Sequence, residues 1–247
     1  IGCGPLNVIL RRDIILQEAA TDWRDRLRPG QVVLSGARMA TTEAPLGIGI
    51  AAAWSWMPPP VPAWSKASLG AGLRHFEQHV SAWPVPEEGL GCAAWRRADP
   101  AGLVAKAAAR DIAALSSWAA GGCPADRVPA VSGLVGLGPG LTPSGDHLLG
   151  GFLAAMHAIG YGASADALWS SLQPDLARTN AISAAHMTAA AAGRLSDKQH
   201  RLLNALLSGN PNEIVAGVRA IMDDEHTSSR DTMAGMTIIL HAISMRS

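Results

Sequence analysis

The chain has 247 residues, 48% hydrophobic but only 4% aromatic, and its 20 basic and 20 acidic residues cancel. That length holds one large domain or two small ones, and without clustered positive charge a nucleic-acid groove is not expected. Cys3, Cys92 and Cys123 are odd in number and far apart, which argues against a CxxC zinc knuckle or a disulfide framework and fits free thiols in a reducing cytoplasm.

In chain order, "LNVIL" and "IILQ" flank "RRD" as a candidate hairpin, and "EAATDWRDRL" follows as one helical stretch. "QVVLSGA" and "LGIGIAAAWSW" are further strand candidates. Residues 44–65 carry no charge, but Pro45, Pro58, Pro59, Pro60 and Pro62 break the run. Its proline-free centre falls short of the ~20 residues a membrane span needs. Trp54, Trp56 and Trp64 around "MPPPVP" fit core packing or a partner interface, with ligand stacking as the alternative. Residues 66–82 predict a helix, and "PVPEEG" a turn.

From Asp99 the pattern becomes helical. "DPAGLVAKAAARDIAALSSWAA" has an aspartate cap, a first-turn proline and an apolar stripe, and stops at Gly121-Gly122. Later helix starts are signalled at Asp146, Ser164, Thr179 or Asn180, Ser196, Asn210-Pro211 and before Asp231. The expected fold class is α+β: a β-rich N-terminal part over 1–98, then a helical part over 99–247 carrying two Gly/Thr/Ser/Asp helix-entrance motifs.

The first of those motifs is "GLGPGLTPSGDHLLGG", residues 136–151, approached by an extended "AVSGLV". Glycines let backbone approach a ligand, and the first turn of a helix offers unpaired N–H groups and a positive dipole end. Thr142 and Ser144 add hydroxyls there, so the composition suits phosphate or carboxylate. The spacing fails the dinucleotide fingerprint at Leu141. It fails the phosphate loop at Asp146, which stands where lysine belongs, and Ser144 is not in a nucleophile elbow. A plain helix cap is the bland alternative.

The chain repeats the pattern. "TPSGDHLLGG" from Thr142 matches "TSSRDTMAGM" from Thr227 at Thr142/Thr227, Ser144/Ser229, Asp146/Asp231 and Gly150/Gly235. The expectation is two helix starts built alike and facing one pocket.

Together these motifs resemble the bacterial family typified by the AllH subunit of oxamate carbamoyltransferase. Gly136, Gly138, Gly140, Leu141, Thr142, Pro143, Ser144, Gly145, Asp146 and Gly150 fit its first motif; His226, Thr227, Ser228, Asp231 and Gly235 fit its second. "RTNAISAAHMTAAAAGRLSD" is similar to its intervening helix, with Ser183 at a polar position. The family register pairs Ser144 with Ser228, whereas the ungapped echo selects Ser229. Departures are His147 for a second aspartate, Glu225 and Ser229 for glycines, and Arg230.

The resemblance implies a subunit of a carbamoyltransferase-like enzyme of ureide and purine-nitrogen breakdown, assembled with FdrA-type protein subunits. Its ligands would be a small carboxylate or amide and phosphate, and no cofactor or metal is expected. Asp146, His226 and Asp231 are then the catalytic candidates. Gly138, Gly140, Thr142, Ser144, Gly145, Ser183, Thr227 and Ser228 are the substrate-binding ones. Carbamoyl transfer gains mainly from positioning and from stabilising a tetrahedral oxyanion.

His226 suits proton handling because imidazole titrates near neutrality, its bland alternative being a helix cap. His147 is weighed as a metal ligand beside Asp146 and set aside. His157 and His241 read as structural, and His75 with His79 as a solvated face. Asp223-Asp224-Glu225 reads as an exposed acidic stretch. The competing functional class is a non-catalytic anion-binding or scaffold subunit of a larger assembly.

Overall fold

The computed structural model describes residues 32–35, 38–41, 47–49, 57–84, 88–95, 102–223 and 227–246. The chain divides into two compact units, residues 1–57 and 58–247. In the first, β1 (Val32–Ser35), β2 (Arg38–Thr41) and β3 (Gly47–Gly49) form an antiparallel sheet in chain order. Val32 lies opposite Thr41, and Arg38 opposite Gly49. The "LNVIL"/"IILQ" hairpin and the "EAATDWRDRL" helix fall outside the described residues, as do Trp54 and Trp56.

The second unit is built from eight α-helices among its described residues: α1 (Lys66–Val80), α2 (Leu103–Ala120), α3 (Ser144–Ala158), α4 (Gly162–Leu172), α5 (Ala181–Ala191), α6 (Asp197–Ser208), α7 (Pro211–Met222) and α8 (Ser228–Ser244). Several starts are fixed by short side chains. Asn180 accepts from the Ile182 and Ser183 amides, Ser196 forms a capping box with Gln199, and Asn210 caps α7 ahead of Pro211. The aspartate cap and first-turn proline expected for α2 are not borne out, since its N-cap is Gly102 and the helix begins at Leu103; α4 likewise begins at Gly162, which makes Ser164 its third residue.

The α+β expectation is overturned. Helix dominates the described residues, and no β-rich N-terminal part over 1–98 is supported. The described strands there are three short ones, and the longest described element is α1. Short apolar runs do not distinguish strand from buried helix by periodicity. Moreover α1 buries Leu69, Leu73, Phe76 and Val80 against the helical unit, packing on α6, α7 and α8. Helical packing therefore begins upstream of Asp99, where the alanine-rich composition sets in. "AVSGLV" is likewise not extended throughout, since Ser132–Leu134 makes a 3₁₀ turn.

At the centre lie α3 and α8. Every α3 residue from Ser144 to Met156 except His147 is buried, and α8 is buried nearly all round. A helix apolar on every face belongs inside a bundle. The pair packs closely because it has no side chain at two crossings. A Cβ on Gly151 would sit 2.0 Å from the Thr232 carbonyl oxygen, and one on Gly235 1.9 Å from that of Leu148. Trp64 packs, half-buried, on the same core. No helix among the described residues is long and apolar enough to cross a membrane.

Candidate functional site

The first motif folds as a loop that turns back on its own helix. Gly136, Gly138 and Gly140 all have positive φ, at 72°, 118° and 84°, which side-chain-bearing residues rarely adopt. The Gly145 amide closes the loop by donating to the Leu137 carbonyl at 2.9 Å. Pro143 caps α3, so Ser144 opens the helix and Asp146 is its third residue rather than its cap. Gly145 sits where any Cβ would meet the Leu134 carbonyl oxygen at 1.9 Å.

Asp146 is 2% exposed and its carboxylate is well supplied with donors. One oxygen accepts from the Gly136 amide at 2.7 Å; the other accepts from the hydroxyls of Thr179, at 2.5 Å, and Ser183, at 2.6 Å. Charged acceptors of this kind make the stronger hydrogen bonds. The carboxylate also sits in the first turn of α3, where the dipole favours it. It thereby ties the glycine loop to the start of α5. Asn180 adds a second tie, its side-chain amide donating to the Leu141 carbonyl at 3.0 Å.

With its base held, the loop turns its tip outward. Pro139, Gly140 and Leu141 are exposed. The amides of Gly138, Gly140 and Thr142, and the Thr142 hydroxyl, meet no acceptor among the described residues. Unpaired amides on alternate positive-φ glycines, followed by that of Thr142 at a helix N-terminus, suit an anion.

The second motif opens α8. Thr227 precedes the helix, Ser228 is its first residue and Asp231 its fourth. Asp231 is fully buried, and its Oδ1 accepts from the Leu90 amide at 2.6 Å. The Gly91 amide, the Ser144 hydroxyl and the Arg230 guanidinium also stabilise its charged form, yet Oδ2 has no partner of good hydrogen-bond geometry. Burial outweighs these contacts and pushes the carboxyl up to about 6. Burial first, then the Asp231 charge, raises the Cys92 thiol above its ordinary range.

The two starts meet. Ser144 touches Asp231, His147 faces Thr232, and Phe152 abuts Gly235, so α3 and α8 cross closely with their first turns in contact. Ser144 and Ser229 are each 4% exposed, so this meeting point is an interior network beneath the loop. In the helical frame Ser144 corresponds to Ser228, as in the family register. A cavity of about 560 Å³ lies elsewhere, lined by Leu90, Cys92, α2 and the C-terminal half of α8.

Ser183 is brought to Asp146, whereas Ser228 contributes its backbone carbonyl, which accepts from the Thr232 hydroxyl at 2.9 Å. His226 lies outside the described residues. His75 is exposed, while His241 is buried near Glu77, at 3.6 Å. Sequence reasoning had not placed Thr179 or the Gly89–Gly91 turn at the site. Thr179 was visible only as a helix-start signal. Gly89 carries a φ of 71°, and a Cβ there would meet Asp231 Oδ1 at 2.7 Å. The letters around it read as nothing more than a turn.

The fold and these contacts define a helical module in which two motif-bearing helix starts share an interior network under an amide-lined loop. Residues 134–240 of it match the family model described as oxamate carbamoyltransferase subunit AllH, the family that the motifs resemble. Comparison with curated proteins and with solved structures gave no match.

Proposed function

We propose that this chain is a subunit of a carbamoyltransferase-like enzyme of ureide and purine-nitrogen breakdown, acting in the cytoplasm with FdrA-type partner subunits. Its loop would hold a small carboxylate or amide ligand, or phosphate. The family match supports the subunit reading. The observation that carries the ligand reading is the set of unpaired donors on Gly138, Gly140 and Thr142 at the positive end of α3. Donors already fixed in place cost no reorganisation when charge arrives, which is what an oxyanion intermediate requires.

In this reading Asp146 positions the loop and Asp231 holds a proton-sensitive carboxyl beneath it, while His226 handles protons. Ser144, Gly145 and Ser183 shape the mouth, and Thr227 and Ser228 set the start of α8. The test is phosphate-dependent formation of carbamoyl phosphate from oxalurate by the reconstituted complex. His226→Ala should lower the rate at least tenfold with folding intact. An unchanged rate would remove His226 from the mechanism.

A second reading, a non-catalytic anion-binding or scaffold subunit, is favoured by one observation: Asp146, Ser144 and Asp231 are buried and spend hydrogen bonds on the protein itself. Phosphate binding by the chain, with no turnover on addition of partners, would select it.

A further inference from the structure

One imidazole is not used by the network described above. His147 is the only residue of α3 between Ser144 and Met156 that is not fully buried, and it faces α8 through Nδ1, 3.4 Å from the Thr232 hydroxyl. That hydroxyl donates its single proton to the Ser228 carbonyl at 2.9 Å. Toward His147 it can therefore only accept, which places the ring proton on Nδ1 and a lone pair on Nε2. Nε2 is enclosed and has no hydrogen-bond partner. The imidazole of His186, on α5, neighbours the His147 ring, with centroids 6.0 Å apart and planes tilted by 43°.

We propose that His147 and His186 form a two-imidazole site for a divalent late-transition ion, of the zinc class, where α3, α5 and α8 meet. Three features fit. First, neutral imidazole nitrogen suits zinc, nickel and copper, whereas magnesium and calcium prefer oxygen. Second, a ligating histidine characteristically donates its other N–H to an acceptor that fixes tautomer and ring orientation. Thr232, pinned by Ser228, does this for His147. Third, the rings lie within reach of one ion after a small turn: with nitrogen-to-metal bonds near 2.0–2.1 Å, two rings on a tetrahedral ion have centroids roughly 5.2 Å apart, and the separation here is 6.0 Å.

His186 is exposed, so its ring can turn toward a shared ion from the solvent side. No group of three His, Cys, Asp or Glu ligands occurs among the described residues, so the remaining positions fall to water or an added ligand.

The test is calorimetric titration of the whole chelator-treated chain with Zn²⁺ alone. One ion per chain is expected, with His186→Ala weakening affinity at least tenfold and Thr232→Val weakening it severalfold. A His75→Ala/His79→Ala double variant should bind as the parent does. The proposal is overturned if the parent takes up no ion, if His186→Ala binds equally well, or if the double variant loses binding.

Discussion

Asp146 and Asp231 stand at the starts of two helices in contact, within motifs that share a T-x-S-x-D-x-x-x-G pattern, yet in opposite conditions. Asp146 receives a backbone amide and two hydroxyls; Asp231 is fully buried, keeps one oxygen without a well-aligned donor and is pushed up to about 6. The difference comes from one step of helical phase. Asp146 is the third residue of α3 and Asp231 the fourth of α8, and a residue turns the side chain by roughly 100°. One faces the donors of α5, the other the narrow Gly89–Gly91 turn. Similar letters at helix starts therefore do not make equivalent sites.

The contrast can be broken most forcefully at Asp146. Replacement by Ala strands the Gly136 amide and two hydroxyls, and should cost about 4 kcal/mol in denaturant unfolding. Asp231→Asn at pH 7 should be neutral or stabilising, because it removes a poorly solvated charge. Equal losses from the two variants would refute the distinction. Next in size, Gly235→Ala inserts a Cβ against the Leu148 carbonyl and should cost about 3 kcal/mol, detected as a lowered Tm. A silent substitution there would mean that α3 and α8 do not cross as described.

The pH dependence sharpens the comparison further. Because the folded pKa of Asp231 is raised above its unfolded value, the native state binds more protons between about pH 4 and 6. Its contribution to stability is present at low pH and falls as pH rises through that window, by at most about 3 kcal/mol. His147 is displaced the other way, to about 4, by burial and then by the neighbouring His186 charge. Its contribution is present above its unfolded value near 6.5 and is lost as pH falls toward 4; buried His200 shifts in the same direction. The opposed slopes partly cancel in the parent. Asp231→Asn should leave stability rising with pH, and His147→Gln should expose the falling slope. Chemical denaturation from pH 4 to 7 reads both, and parallel curves for all three proteins would contradict these assignments.

The smallest expected effect concerns the exposed loop. Thr142→Val removes one free hydroxyl and should weaken phosphate binding severalfold, with Tm unchanged. Titration followed by backbone amide shifts at Gly138 and Gly140 checks it. Shifts confined to other residues would move the anion site off this loop.

The local signals legible in the chain were those settled by neighbouring atoms. Asn180 and Asn210 cap helices because a short side chain reaches amides two or three residues away, and at Ser196 the Gln199 side chain reaches back to accept from the cap amide. The stop of α2 at Gly121 is equally local. The first motif was legible as a loop feeding a helix, and its donors follow from glycine geometry. The β-rich part expected over 1–98 was misread, because apolar spacing does not reveal what a segment packs against. Thr179 and Leu90 escaped notice at the site for the same reason: each reaches its carboxylate across a long stretch of chain.

What the amino-acid order determined by itself was several helix caps and stops, the glycine-dependent turns and the family resemblance, since caps, φ preferences and motif letters are short-range properties. Tertiary packing alone decided that α3 and α8 cross closely at their starts, and that one carboxylate is amply hydrogen-bonded while the other is not. Desolvation and donor supply depend on which distant segments close around a group, and no spacing along the chain encodes that directly.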